Sequence, residues 1–311
     1  MKRVRIATRG SALAVAQSAK VARELEQTLR CETELVRITT TGDRIQDRPL
    51  AQVGGKGLFI KEIEEALLDG RADLAIHSAK DLPAALPPGL VLAAFPRRAD
   101  PRDAWISRDT RSSAPEVARS GARVGTGSVR RASQLLSWRP DLQIVPLRGN
   151  VDTRLRKLEE DSLDAVILAC AGLERLGLED RIHARIEPEL LLPAVGQGTL
   201  ALQVRAGDAL AEAVARFDHP ATRVALEAER AFLTALEGDC SVPLAAFGEA
   251  RPGHRLRLRA LVASPDGSQV VRADLETPAS EAQAAGTRAA RELLAKGAAG
   301  ILAALRGAEG A

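Results

Sequence analysis

In the segment His77-Ser78-Ala79-Lys80-Asp81-Leu82-Pro83 an ammonium and a carboxylate stand side by side, directly after the apolar run Leu74-Ala75-Ile76. If that run is a strand of an open α/β sheet, Lys80 and Asp81 lie beyond its carboxyl end, where ligands bind in such folds. A carboxylate there can transfer protons or hold a cationic intermediate; a solvated Lys-Asp pair capping the next turn is the plainer alternative. His77 reads as a structural residue at the strand end. A second segment, Gly125-Thr126-Gly127-Ser128-Val129-Arg130-Arg131, combines a small-residue turn, two hydroxyls and two guanidinium groups at the start of a helix, which together make an anion cradle. It has neither the G-x-G-x-x-G spacing nor the Walker lysine, so carboxylate and non-nucleotide phosphate both remain open. Arg148-Gly149-Asn150 with Arg154 and Arg156, and Arg9 with Ser11, occupy equivalent places after other apolar runs.

Two further segments are distinctive. Gly54-Gly55-Lys56-Gly57 looks superficially like a phosphate loop but has no Ser or Thr after the lysine, and reads as a mobile glycine segment. Cys240 follows Leu236-Glu237-Gly238-Asp239 in a loop with polar neighbours, where a thiol can be reactive, whereas Cys170 sits in an apolar strand and is expected to be inert.

The elements that must position these groups alternate. Val4 to Ala7 is a strand, and Ser11 caps a helix running through Leu13, Ala16, Ala19 and Leu25. Leu35 to Ile38 is a strand, Lys56 to Leu68 a helix stopping at Gly70, and Asp73 to His77 a strand. A proline-bounded charged stretch from Phe95 to Asp103 suits a hinge, after which Arg123 to Gly125, Gln143 to Leu147 and Asp164 to Ala169 are strands separated by helices near Leu135 and over Val151 to Glu160. This is the pattern of parallel sheets flanked by helices. Leu192 to Gly198 reads as a second hinge. Beyond Pro220 the texture changes to a helix over Thr222 to Leu236, a hairpin turning at Ser264-Pro265-Asp266-Gly267, and a last helix that Ser280 and Gln283 would cap as a box.

Composition bounds the function. A chain of 311 residues implies about two or three domains, and with 45% apolar and 27% charged residues it can bury sizeable cores. Its uninterrupted apolar stretch from Ala165 to Ala171 is seven residues, too short for a bilayer span. Charges at Lys2, Arg3 and Arg5 interrupt any export signal, so a soluble cytoplasmic protein is expected. Three dispersed cysteines make neither a disulfide framework nor a zinc site. A net charge of +3, five Phe, two Trp and no Tyr argue against nucleic acid as a partner. With 7 lysines against 37 arginines, the basic residues favour bidentate recognition of carboxylates.

Nearly the whole chain resembles the porphobilinogen deaminase (hydroxymethylbilane synthase) family. The resemblance runs through Ile6-Ala7-Thr8-Arg9-Gly10-Ser11, Thr41-Gly42-Asp43, Gly54 to Phe59, His77 to Pro83, Gly125 to Arg131, Arg148-Gly149-Asn150, Pro193 to Gly198, Glu229-Arg230 and Cys240. It implies an α/β fold of two periplasmic-binding-protein-like lobes plus a small C-terminal α+β domain: residues 1–98 with 198–217 as the catalytic lobe, 103–192 as the anion-binding lobe, and 220–311 as the cofactor-attachment domain. It also implies one dipyrromethane cofactor, joined by a thioether to Cys240, onto which four porphobilinogen molecules are condensed head to tail with loss of ammonia before water releases the linear tetrapyrrole.

Porphobilinogen carries acetate and propionate groups, so a growing chain accumulates carboxylates that require fixed cations. The resemblance makes Asp81 the catalytic residue, assisting the departing amine and stabilising the cationic pyrroles formed around an azafulvene. It places Cys240, Lys80, Asp81, Ser11, Arg130, Arg131, Thr126, Ser128, Arg148 and Gly149 at the cofactor, and Arg9, Arg148, Arg154, Arg175, Gln197, Lys56 and Phe59 at the substrate, with no metal. The implied enzyme is a cytoplasmic monomer acting on a small molecule, with neither nucleic acid nor membrane as partner. The chain departs from the family pattern at Asp239, where a second glycine commonly precedes the cysteine, and at Ala79, where a bulkier residue such as Met is frequent. Negative charge at Asp239 would raise the neighbouring thiol pKa and slow primer loading. The main alternative is a two-lobed anion-binding module without catalysis, which gives Cys240 no role; a phosphate-transfer enzyme lacks a metal-binding carboxylate set.

Overall fold

The structure, a computed structural model, describes residues 3–44, 59–109, 113–236 and 242–309, in two compact units: Met1–Ala99 with Thr199–Arg223, and Asp100–Gly198 with Val224–Ala311. In the first unit, strands β1 (Arg3–Arg9), β2 (Glu32–Ile38), β3 (Leu74–Ser78), β4 (Leu90–Ala94) and β10 (Leu200–Arg205), numbered in chain order, form a sheet of order β2-β1-β3-β10-β4 among the described residues. β1 is parallel to β2 and β3, and β10 is antiparallel to β3 and β4. The period of two divides the side chains between faces. Val4, Ile6, Leu74 and Ile76 pack with Val21 and Leu25 of helix α1 (Ala12–Leu29), while Ala7 and Ala75 pack with Ile63, Ala66 and Leu67 of helix α3 (Lys61–Leu68). Both faces are covered, which explains the near-continuous apolar strands. A one-turn helix, α2 (Thr41–Arg44), follows β2.

Ser11 caps α1 as expected, its side chain accepting from the Ala14 amide at 3.3 Å. Helix α3 begins at Lys61, not Lys56: Phe59 and Ile60 form a turn, and Lys56 with its glycine neighbours lies outside the described residues. β4 and β10 were not expected. Each is a short apolar run, bounded by Pro87-Pro88-Gly89 before β4 and by Gly198 and Gly207 around β10, and β10 is recruited from a segment more than a hundred residues further along the chain.

The second unit repeats the arrangement. Strands β5 (Asp103–Ser107), β6 (Arg123–Thr126), β7 (Gln143–Pro146), β8 (Ala165–Ala169) and β9 (Ala184–Ile186) are ordered β7-β6-β8-β5-β9, with β6 parallel to β7 and β8, and β5 antiparallel to β8 and β9. Helices α4 (Val129–Trp138), α5 (Val151–Glu160) and α6 (Cys170–Arg175) follow β6, β7 and β8. Cys170 therefore opens a helix instead of lying within the strand. It is fully buried, and desolvation pushes its thiol up to about 12, the inert state expected of it.

Helix α7 (Ala209–Val214) completes the first unit, and α8 (Pro220–Ala235) gives most of its length to the second. There Ala228 and Phe232 join a core with the antiparallel sheet β11 (Leu244–Arg251), β12 (Arg255–Ala263) and β13 (Val270–Pro278) and the helices α9 (Ala282–Leu293) and α10 (Ala299–Glu309). β12 and β13 are the expected hairpin, whose polar pairs include Arg257 with Asp274. The capping box does not form. β13 runs on through Pro278, so the entry to α9 is a tight 3₁₀ turn over Ala279–Glu281, and Glu281 instead accepts from Thr277 Oγ1 at 2.9 Å and Arg288 Nη1 at 3.1 Å. Two α/β lobes of one sheet order and a small C-terminal α+β part are thus the fold.

A buried polar chain stiffens the first unit behind β3. Gln203 Nε2 donates to Glu64 Oε1 at 2.9 Å, which turns the Gln203 carbonyl oxygen toward His77 and requires His77 Nε2 to donate, also at 2.9 Å. Burial lowers His77 from 6.5 to about 4. The unfolded chain therefore binds a proton between those values that the folded chain refuses, so this contribution is complete above pH 6.5 and is lost as the pH falls toward 4. About 3 kcal/mol is involved, at 1.36 kcal/mol per pKa unit. Urea unfolding at pH 7 and pH 4.5 is expected to show a smaller stability loss in His77→Asn than in the unsubstituted protein; equal losses would remove His77 as the cause.

Candidate functional site

Within each unit several of the sequence-expected residues stand at the carboxyl ends of parallel strands. In the first unit, β1 and β3 are adjacent and parallel, with Ile6 opposite Leu74 and Ala7 opposite Ala75, so Arg9 with Ser11 and Lys80 with Asp81 leave the same edge of the sheet. Lys80 and Asp81 belong to the 3₁₀ turn Ala79–Asp81. That turn is held on both sides: the Ala79 amide donates to Thr199 O at 2.9 Å, and Ala79 and Leu82 are buried. Asp81 between them is exposed, a carboxylate displayed to solvent from an anchored turn. Burial of Ala79 fits the small residue found there.

Arg9 is paired with Asp43, Nε donating to Oδ1 at 3.1 Å, and its guanidinium lies over the Phe59 ring with 4.0 Å between the guanidinium carbon and the ring centroid. Arg9 and Phe59 are thereby brought together. Ser11 is occupied as the cap of α1.

In the second unit, Thr126 and Ser128 build the turn from β6 into α4. Thr126 Oγ1 accepts from the Ser128 amide at 3.2 Å, and Ser128 Oγ caps the helix by accepting from the Arg131 amide at 3.4 Å. The turn comes so close to β7 that a Cβ on Gly127 would stand 2.3 Å from Leu147 O, which only glycine permits. Arg130 and Arg131 then turn inward onto Asp103 at the start of β5. Arg130 Nη2 donates to Oδ2 at 2.8 Å; Arg131 Nε and Nη2 donate to Oδ1 at 3.0 and 2.8 Å. Arg130 Nη1 also donates to Leu192 O, and Arg131 Nη1 to Ile167 O. Gln197 joins the cluster, Nε2 donating to Asp103 Oδ1 at 3.0 Å.

Asp103 is completely buried, which by itself would raise its pKa, yet the charges and hydrogen bonds of the two arginines hold it down at about 2. Sequence reading overlooked this carboxylate. Its signal was an acid opening the apolar run Asp103-Ala104-Trp105-Ile106, a position that only a buried partner would tolerate.

Arg154 stands next to these groups at the start of α5, where Asn150 caps the helix and Arg154 Nε donates to Gly149 O at 2.7 Å. Burial, reinforced by the positive charges of Arg131 and Arg148, pushes Arg154 down to about 10. Positive charges gathered this closely around a buried guanidinium form a site that an anionic ligand would neutralise. Arg175, at the end of α6, donates to Gly198 O at 2.7 Å. Lys56 and Cys240 lie outside the described residues, as does Asp239. Among the described residues no group of three or more His, Cys, Asp and Glu could hold a metal ion, and no helix is long and apolar enough to cross a membrane.

Comparison with known proteins converges on one family. The model described as porphobilinogen deaminase, dipyromethane cofactor binding domain, matches residues 4–213, and that described as porphobilinogen deaminase, C-terminal domain, matches residues 224–295. The chain is 52% identical over 305 residues to a porphobilinogen deaminase of Syntrophotalea carbinolica, covering 97% of this chain and 96% of that one. It is 50% identical over 305 residues to the protein of the same name from Geobacter metallireducens, covering 97% and 94%. Among solved structures, a periplasmic substrate-binding protein of an ABC transporter from Coxiella burnetii is similar with a TM-score of 0.43 at 14% identity, over 69% of this chain and 91% of that one.

Proposed function

Because the chain belongs to the porphobilinogen deaminase family, we propose that it condenses four porphobilinogen molecules head to tail onto a dipyrromethane primer, releasing one ammonia per addition, and then frees the linear tetrapyrrole hydroxymethylbilane by hydrolysis. The observation that carries the reading is the gathering of Arg131, Arg148 and Arg154 beyond β6 and β7, where burial and then the positive charges of Arg131 and Arg148 lower Arg154. That donor set fits a group bearing several carboxylates. The primer, when bound, would supply the pyrrole carbon to which the first unit is joined, each later unit being joined to the one before it; the residues of the chain do the holding.

Arg130, Arg131, Arg148, Gly149, Thr126 and Ser128 are assigned to the primer's carboxylates, together with Ser11 and Lys80 of the first unit. Arg9, Arg148, Arg154, Arg175, Gln197, Lys56 and Phe59 are assigned to substrate and growing chain. For Arg9, Ser11, Lys80, Thr126, Ser128, Arg130, Arg131, Arg148 and Arg154 the support is their place beyond the carboxyl ends of parallel strands within each unit. Each charge-assisted contact is worth about 1.5 to 3 kcal/mol. Asp81 supports the departure of ammonia by holding the proton of the amine, and its negative charge offsets the positive charge that develops on the pyrrole nitrogen. Cys240 is assigned as the attachment point through a thioether. The proposed domains are residues 1–98 with 198–217, 103–192, and 220–311, one for each of the three sheets, and the enzyme is taken to be a cytoplasmic monomer without nucleic-acid or membrane partner.

The test is the intact mass of the purified protein followed by peptide mapping. An excess equal to two deaminated porphobilinogen units on the peptide containing Cys240 is the expected result. An unmodified mass that persists after incubation with porphobilinogen would mean that the chain does not load a primer, and a binding role without catalysis would then have to replace this one.

A further inference from the structure

The surroundings of Arg9 contain an arrangement that none of these roles uses. A guanidinium offers two forks for a carboxylate, one side-on through Nε and Nη2 and one end-on through Nη1 and Nη2. Asp43 fills the side-on fork of Arg9, its Oδ1 accepting from Nε at 3.1 Å and from Nη2. Asp43 is in turn held by Thr40, whose Oγ1 donates to Oδ2 at 2.7 Å. Burial would raise the Asp43 pKa, but the hydrogen bonds from Arg9 and Thr40 and the Arg9 charge bring it below the usual carboxylate range. One face of the guanidinium is covered by Phe59. Phe59 can lie there only because residue 42 is glycine: a Cβ on Gly42 would fall 2.2 Å from the ring. The end-on fork is left over. No acceptor meets Nη1 among the described residues, and the Arg9 side chain remains 23% exposed.

We propose that Asp43 is a positioning residue for substrate recognition: it locks the side-on fork of Arg9 while Phe59 backs the plane, so that the end-on fork is presented to one carboxylate of porphobilinogen. The proposal rests on the reading that Arg9 binds substrate. A long arginine side chain loses much rotamer freedom on binding, and one held in advance by a carboxylate and an aromatic face has already lost it.

The opposite role predicts the opposite sign. If Asp43 merely neutralised Arg9, removing its charge would leave the site more positive and draw anionic substrate more strongly. Initial rates of the full-length holoenzyme against porphobilinogen concentration therefore decide. Asp43→Asn is expected to raise KM on the order of 10-fold with a smaller change in kcat, the size of one well-oriented charge-assisted contact. In an Arg9→Lys background, which has no forks to orient, Asp43→Asn is expected to add nothing further. Gly42→Ala, which displaces Phe59 while leaving Asp43 in place, is expected to raise KM in the same direction and serves where Asp43→Asn does not fold. An unchanged or lower KM in Asp43→Asn, or in Gly42→Ala where that variant stands in for it, overturns the proposal. So does an equal rise in KM with and without Arg9. An unchanged KM in Arg9→Lys alone marks a different failure: Arg9 is then not a substrate ligand, and the premise falls along with the proposal.

Discussion

Asp103→Asn is expected to destabilise the protein by at least about 3 kcal/mol at pH 7, the lower end of what breaking a buried ion pair costs. The substitution keeps the shape of the side chain and removes only its charge. Two guanidinium groups, with side chains 5% and 6% exposed, would then share an interior with no carboxylate facing them. Neither can shed its proton near neutral pH to escape the penalty. The effect would spread beyond the pair, because Gln197 donates to the same carboxylate oxygen as Arg131 and also to Pro101 O, tying the segment that precedes β10 to the one that precedes β5. Urea unfolding measures the loss. A cost below about 1 kcal/mol would mean that water or a rearranged loop satisfies Arg130 and Arg131, and that Asp103 is a bystander. The same geometry has a functional side. If Arg130 and Arg131 hold the primer as proposed, their pairing with Asp103 has fixed their side chains beforehand, at no further entropic cost on binding.

Asp81→Ala is expected to lower kcat by at least about 10²-fold, the lower range for a group that assists proton transfer. The structural basis is the contrast between Asp81 and its neighbours: Ala79 and Leu82 are anchored in the core, while Asp81 is exposed. Truncation removes a carboxylate without unfolding the turn, since no buried contact depends on it. Stability should therefore be nearly unchanged, in contrast with Asp103→Asn, and KM should move less than kcat. Product formation at saturating porphobilinogen is the measurement. Near-normal turnover would leave Asp81 as a surface residue and would move the proton-handling role to another group on the same edge.

Much of this site was legible because each strand announces its own end. Ile6-Ala7-Thr8-Arg9, Val124-Gly125-Thr126 and Val145-Pro146-Leu147-Arg148 pass from apolar to charged or small residues at the point where the chain leaves the sheet. Ser11, Ser128 and Asn150 each cap the helix that follows, because hydroxyl and amide side chains satisfy amides that no helix can satisfy internally. Such signals are local, acting over three or four residues, and a local signal survives in one dimension. The box at Ser280 and Gln283 shows their limit: the pattern was present, but the preceding strand continued too far for the helix to start where the pattern required.

What folding alone brings about is the pairing of distant charges. Nothing near Asp103 in the chain identifies its partners as Arg130 and Arg131, and nothing near Arg9 points to Asp43 and Phe59. The Asp103 contacts depend on β5 inserting antiparallel beside β8, which carries Asp103 to the foot of α4, whereas those of Arg9 join the end of β1 to the segment after β2 and the turn before α3. The element types and the sheet edges at which the candidate residues stand were therefore set by residue order, through propensity and capping. Which arginines are turned inward to a buried carboxylate was settled by desolvation, since a charge carried into the interior must take a partner with it and that partner can come from any distance along the chain.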